Sequence, residues 1–182
     1  ERILVNRNIE LIIKEAPEYK VTVSTGENLL KDVQVRVSGD QLILSDTNNC
    51  NFVRDYGITK VFVEAPNLKE IRTSSQYDVS SAGTLGYESL QLLSEDFNGG
   101  SEFTVGDFRL SVASESLRIT SNNISFFYID GEVNSLFVGF FSGSGRFEGA
   151  GLIAQNITIS HRSSNDMVLY PLKTLSGIIR GT

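Results

Sequence analysis

Short stretches of alternating apolar and polar residues run through the first part of the chain. Val33-Gln34-Val35-Arg36-Val37 sets three valines on one face and two polar residues on the other, the period-two pattern of a half-buried strand. Ile9 to Ile13, Tyr19 to Ser24, Gln41 to Leu44 and Lys60 to Glu64 read as further extended segments. Ser38-Gly39-Asp40 is too short a link for a parallel crossover, so the strands on either side of it are expected to pair as an antiparallel hairpin. Glu27 to Lys31 has room for one helical turn, and the preceding Gly26 opposes more.

From about residue 67 the pattern becomes a repeat. Apolar anchors fall at Leu68, Leu90, Leu110, Leu136, Ile157 and Leu175, and a second series lies between them at Val79, Phe103, Phe126, Phe147 and Val168. Both series keep a period of roughly 21 residues, which a coiled sheet needs because every turn must add an inward side chain to each stacked wall. Polar segments separate the anchors: Ser94-Glu95-Asp96, Ser114-Glu115-Ser116, Ser142-Gly143-Ser144-Gly145 and Ser163-Ser164-Asn165-Asp166. Small residues and Asn or Asp suit tight corners.

These patterns predict an all-β fold, a single-stranded right-handed parallel β-helix-like solenoid with antiparallel strands in its N-terminal region. One domain is expected over residues 1–182, with a capping region at 1–66 and rungs of about 21 residues over 67–182. A β-sandwich is the competing reading, although a sandwich has no reason to keep a fixed period over five successive units. The rung from Leu175 to Thr182 stops abruptly, which leaves room for the natural protein to continue.

Composition agrees with this picture. Among 182 residues there are 16 Gly, 3 Pro and no Trp, with 40% hydrophobic and 21% charged residues, a globular mixture that favours strands and turns. The net charge of -6 argues against nucleic acid and acidic lipid as partners. Thirteen of the glycines lie beyond residue 72, a change of packing style with no linker to mark a domain boundary. No apolar run approaches a membrane-spanning length; stretches such as Ile124 to Ile129 fit a strand. The chain opens at Glu1 without a methionine and already in strand-like sequence, so a leader or an artificial boundary is expected upstream.

Candidate chemistry is sparse. Cys50 is the single cysteine, with no nearby His, and is expected to be a buried or half-buried thiol. His161, the one histidine, sits beside Arg162 and is expected to be exposed. No nucleophile elbow, phosphate loop or calcium loop occurs, and a calcium site built from corners of several rungs stays open. Stacked carboxylates would suit a polysaccharide-cleaving enzyme; Glu95 and Asp96 with Glu115, or Glu102 with Asp107, are the pairs to test, against the reading of a solvated acidic edge. Phe126-Phe127-Tyr128 with Phe137, Phe140 and Phe141 is aromatic-rich, and alternation turns half of these outward as a surface patch. Asn123-Ile124-Ser125 and Asn156-Ile157-Thr158 match the N-glycosylation pattern.

The Ser142-Gly143-Ser144-Gly145 corner resembles the repeats of the head GIN domain family, described as putative auto-transporter adhesins. Two further stretches are similar to that family. Asn49-Cys50-Asn51-Phe52-Val53-Arg54-Asp55-Tyr56 before Lys60 to Leu68 looks like its first half, and Ser164 to Pro171 before Gly177-Ile178-Ile179-Arg180-Gly181-Thr182 looks like its end. The other corners depart from the full Ser-Gly-Ser-Gly form. The resemblance implies a β-helix-like fold, an exported protein of the cell envelope of a Bacteroidota-type bacterium, often behind a lipoprotein signal, and no established enzymatic activity.

The functional expectation is therefore a non-enzymatic display module that binds a protein or glycan at the cell surface. Membrane contact is expected only through a lipid anchor upstream of Glu1. No catalytic residue, metal ligand or cofactor is assigned. A polysaccharide-active enzyme and a self-assembling structural protein are the alternatives.

Overall fold

A computed structural model describes residues 1–48, 59–97 and 103–180. The described residues are almost entirely β, with one 3-10 turn, Leu30–Asp32, near the predicted helical turn. The first six strands are β1 (Arg2–Asn6), β2 (Ile9–Glu15), β3 (Lys20–Ser24), β4 (Val33–Ser38), β5 (Gln41–Asp46) and β6 (Thr59–Ala65). They are followed by β7 (Glu70–Ser74), β8 (Val79–Leu85), β9 (Ser89–Ser94), β10 (Phe108–Ser121), β11 (Phe126–Phe140), β12 (Arg146–His161) and β13 (Met167–Ile179).

All thirteen belong to one mixed sheet that curls into a half-barrel. Two pairings are antiparallel, β4 with β5 and β3 with β6, and the rest are parallel. The four long strands β10 to β13 bend midway, so their two halves lie on two arms of the curl. One arm runs β4, β5, β1, β7, β9 and then the C-terminal halves of β10 to β13. The other runs β3, β6, β2, β8 and then their N-terminal halves. The arms face each other across the core: Phe127 of one lies 5.7 Å, centroid to centroid, from Phe140 of the other.

In-register side chains fill that core. Val61, Leu11, Val79, Phe108, Phe127, Phe147 and Met167 form one column through seven neighbouring strands. Phe108 and Phe127 stack with centroids 4.9 Å apart. On the facing arm Leu90, Leu117, Leu136, Ile157 and Leu175 form a second column. The predicted period is therefore present, but four anchors are misplaced, and Leu68, though buried, precedes β7 and stands outside the leucine column. Leu110 aligns with Ile129 on the opposite arm, and Leu117 fills the predicted position. Phe126 and Val168 miss by one residue, because Phe127 and Met167 point inward, and a one-residue slip moves a side chain to the other face. Phe103 is exposed.

The bends and corners require small residues. Gly131, at the bend of β11, has φ +110°, and a Cβ there would lie 2.0 Å from the Val112 carbonyl oxygen. Gly143 has φ +80° and its place for a Cβ is 2.3 Å from the Asn123 carbonyl oxygen. The Ser-Gly-Ser-Gly corner stacks on its neighbours: Ser142 Oγ donates to Asn122 O at 2.6 Å, and Ser163 Oγ donates to Gly145 O at 2.7 Å. Ser114-Glu115-Ser116, predicted as a corner, lies instead within β10 at its bend.

The first region also departs from expectation. The hairpin forms, with Ser38 opposite Gln41 and Gly39 at φ +62°. Its valine face is not half-buried, however: among the described residues β4 pairs only with β5, and Val35 and Val37 are exposed. Nor is the region only an antiparallel cap. β1 and β2 lie between β5 and β7 and between β6 and β8, all in parallel register, so chain order is not spatial order. Arg7 and Asn8 make the sharp corner joining β1 to β2, at φ +36° and +24°.

Candidate interaction surface

Alternation turns every residue beside an inward anchor toward solvent. Ser89, Ser116, Ser135, Asn156 and Thr174, each just before a member of the leucine column, therefore line up in register on the outside of one arm. Two residues on, Gln91, Arg118, Phe137, Thr158 and Ser176 form a parallel row. Neighbouring strands lie about 4.8 Å apart, so each row repeats a hydrogen-bonding group at that interval, with one aromatic ring among them.

Parts of these rows are pre-ordered. Ser89 Oγ and Ser116 Oγ are 2.9 Å apart, and Thr174 Oγ1 donates to Asn156 Oδ1 at 2.9 Å. The Arg118 guanidinium lies 3.9 Å over the Phe137 ring, which holds that ring flat on the surface. The rows border a shallow groove of about 630 Å³.

The outer face of the other arm is charged. Arg109 sits 4.1 Å over the Tyr128 ring and donates to Asp78 at 2.8 Å and to Asp107 at 3.1 Å. The Asp78 contact raises the Arg109 pKa further above its ordinary value. Burial raises that of Asp107, opposed by the Phe126 amide that donates to it at 2.9 Å.

A third feature is an apolar cleft of about 280 Å³ between β3 and β4, at the end of the curl where the antiparallel strands lie. Tyr19, Val21 and Val37 form its lips, and Ile3, Leu42 and Leu68 its floor. Arg2, paired to Asp40 at 2.8 Å, and Lys20 stand at its edge.

The predicted meeting of Glu95 and Asp96 with Glu115 does not occur. Glu95 is buried against Arg72 and accepts the Phe97 amide at 2.7 Å, while Asp96 accepts from Asn122 at 2.6 Å. Glu115 accepts from Asn134 at 2.7 Å. The pairing failed because Ser94 aligns with Ser121, which places Glu95 and Asp96 beside residues 122 and 123 and far along the strand from Glu115. Glu102 and Cys50 lie outside the described residues, as does the Asn49 to Tyr56 stretch. Among the described residues no three His, Cys, Asp or Glu side chains cluster as a metal site would require.

His161 is not the exposed residue expected. It follows Phe140 in an inward column, with ring centroids 6.3 Å apart, and its Nδ1 is buried without a hydrogen-bond partner. The aromatic run divides as alternation requires: Phe127 and Phe140 are buried, while Phe126, Tyr128, Phe137 and Phe141 are half-buried or exposed. Asn123 and Asn156 are both engaged, Asn123 Nδ2 donating to Thr104 Oγ1 at 2.5 Å and Asn156 accepting from Thr174. Sequence reasoning missed the two polar rows. Their signal was the small polar residue before each of Leu90, Leu136, Ile157 and Leu175.

Solved structures resemble this one. A putative adhesin from Bacteroides fragilis superposes with a TM-score of 0.82 at 18% identity, over 99% of this chain and 89% of that one. A putative lipid binding protein from Parabacteroides distasonis gives a TM-score of 0.52 at 12% identity, over 97% and 92%. At such identities the likeness is one of fold. No curated protein matches the chain. The family model described as putative auto-transporter adhesin, head GIN domain, matches residues 1–182, and the chain belongs to that family.

Proposed function

We propose that this protein is a non-enzymatic binding and display module of the cell envelope, whose rungs from β7 onward wind as a right-handed coil, and that its outer polar rows hold a surface glycan. The reading rests on the register that aligns Ser89, Ser116, Ser135, Asn156 and Thr174 beside Arg118 and Phe137. Stacked rungs present these groups on a rigid frame, so a partner docks without ordering the protein. An extended polyhydroxylated chain lying across the strands would meet donors and acceptors at each rung, with Phe137 under an apolar sugar face. Membership of an adhesin-like family supports the location and the binding role. A glycan array with product analysis tests it: saturable binding without cleavage is expected, and Phe137→Ala should weaken it about tenfold, the loss of one stacking contact. Cleaved product, or binding indifferent to Phe137, would overturn the reading.

A second reading follows from the apolar cleft, whose lining suits an aliphatic chain; the Parabacteroides distasonis structure described as a putative lipid binding protein has a comparable fold. A fluorescent fatty acid should then bind, and Val37→Lys should abolish the signal while leaving the melting temperature within about 2 °C, because Val37 is exposed. Equal uptake by the variant would remove this reading.

A further inference from the structure

The polar rows lie on a face whose charge opposes that of the chain as a whole. Residues 116–122, 135–141 and 156–162 are the C-terminal stretches of β10, β11 and β12 with one residue beyond each. They contain no Asp or Glu and two arginines, Arg118 and Arg162. Both arginines are exposed: Arg118 stands between buried Leu117 and Ile119, and Arg162 follows the inward-facing His161. Acidic side chains instead mark the outer face of the other arm, with Asp78, Asp107, Asp130, Glu148 and Asp166. A net charge of -6 therefore coexists with local positive charge beside the rows.

Elsewhere in the chain Arg2, Arg72, Arg109 and Arg146 each hold a carboxylate. Arg118 and Arg162 form no ion pair among the described residues. Arg118 lies over the Phe137 ring at 3.9 Å instead. Stacking occupies the face of the guanidinium and fixes its plane. The edge N–H groups stay free for the two-pronged contact that fits a carboxylate or a sulfate. The carboxylate that lines the groove, Glu88, is three residues before Gln91, the register neighbour of Arg118, and forms no ion pair with it. Hydroxyl-binding groups surround the fork: Gln91 beside it, Ser116 two residues back, and Ser135 across from Ser116.

We propose that the glycan held by the polar rows is acidic, a chain bearing carboxylate or sulfate groups, one of which sits in the Arg118 fork while Gln91, Ser116 and Ser135 bond its hydroxyls. The assignment rests on the glycan reading given above. A charge-assisted hydrogen bond is about twice as strong as a neutral one, so the fork favours an anionic sugar over its neutral counterpart. Arg162 lies two strands across and four residues along from Arg118, roughly 16 Å by the geometry of pleated strands, so a chain of several sugars brings it a second anionic group. An acidic peptide offers the charge without the hydroxyls that the rows match, and makes the poorer fit.

A matched set of polymers tests this. Dextran, carboxymethyl dextran and dextran sulfate share a backbone and differ in charge, and polyglutamate carries the charge without the sugar. In titration calorimetry at low salt, carboxymethyl dextran or dextran sulfate should bind about tenfold more tightly than dextran, and the stronger of the two identifies the anion that the fork takes. Polyglutamate should bind more weakly than either. Arg118→Gln should remove the preference and leave dextran binding unchanged, and Arg118→Lys should keep only part of it, because an ammonium group lacks the fork. Arg162→Gln should weaken the charged polymers about threefold. Equal affinity for neutral and charged dextrans, or a preference that survives Arg118→Gln, would overturn the acidic assignment and leave the rows as a surface for neutral glycans. Polyglutamate binding as tightly as the charged dextrans would overturn it in favour of an acidic peptide. Failure of every polysaccharide to bind would remove the glycan reading itself.

Discussion

The two ends of this sheet solve the same problem differently. At one end β3 and β4 fold back antiparallel onto β6 and β5, so the edge strands are short, five and six residues, and come from the chain's own hairpin-like returns. At the other end of the described residues β13 spans thirteen residues in parallel register with β12. The first end exposes Tyr19, Val21 and Val37 around a cleft, whereas β13 exposes Leu175 and Ile179, the last described members of core columns. An antiparallel return changes the direction of the chain and so ends the stack, while a parallel rung is a template for another. Adaptable surface therefore lies at the antiparallel end, while at β13 the core columns still run in parallel register.

The strongest way to break this contrast is to place a charge at two successive positions of one column. Ile157→Asp, 1% exposed in the native fold, should destabilise by about 4 kcal/mol, as burial of an unpaired carboxylate does. Leu175→Asp, next in register but half open, should cost under about 1 kcal/mol. Chemical denaturation of both variants reads the difference. Equal large losses would mean that Leu175 is as enclosed as Ile157, and equal small ones that the column is misaligned.

How much of this was legible in the sequence depends on the kind of order. The strands of the first region and the Gly39-Asp40 link were readable because alternation and turn chemistry are local. β1 was missed, since Arg2 to Asn6 has two buried apolar residues and no turn signal before it. The insertion of β1 and β2 between strands that follow them was not readable, because no local signal states which of several parallel neighbours a strand will choose. The repeat period was readable, but its phase was not. Phe126-Phe127 offers two apolar residues in succession, and only pairing with Phe147 shows which one faces the core. Four of the six leucine-type anchors held, and the polar rows follow from them by one step along the strand. Their partner does not, because a row of hydroxyl and amide groups specifies a chemistry and leaves the molecule open.

A smaller effect sharpens the account of the capped end. Tyr87, between β8 and β9, is buried and its hydroxyl donates to the Ala65 carbonyl of β6 at 3.0 Å, so it ties the penultimate strand of that end to the middle of the sheet. Burial, with Glu15 nearby, pushes its pKa up to about 12 from an ordinary 10. The sign follows from linkage. Below pH 10 the phenol is neutral in both states and its contribution is fully present. Between pH 10 and 12 the unfolded chain loses the proton while the folded one keeps it, so stability falls by about 3 kcal/mol across that window. Tyr87→Phe should cost about 1 kcal/mol at pH 7, by removing one of the two donors to the Ala65 carbonyl, which keeps the Ala16 amide at 3.1 Å, and should flatten the alkaline fall attributable to this group. Hydrogen exchange on β6 and β13 as the pH rises would locate the effect. Protection lost first in β6 is expected, since the latch acts at the capped end; loss beginning in β13 would show that a region remote from Tyr87 governs alkaline unfolding.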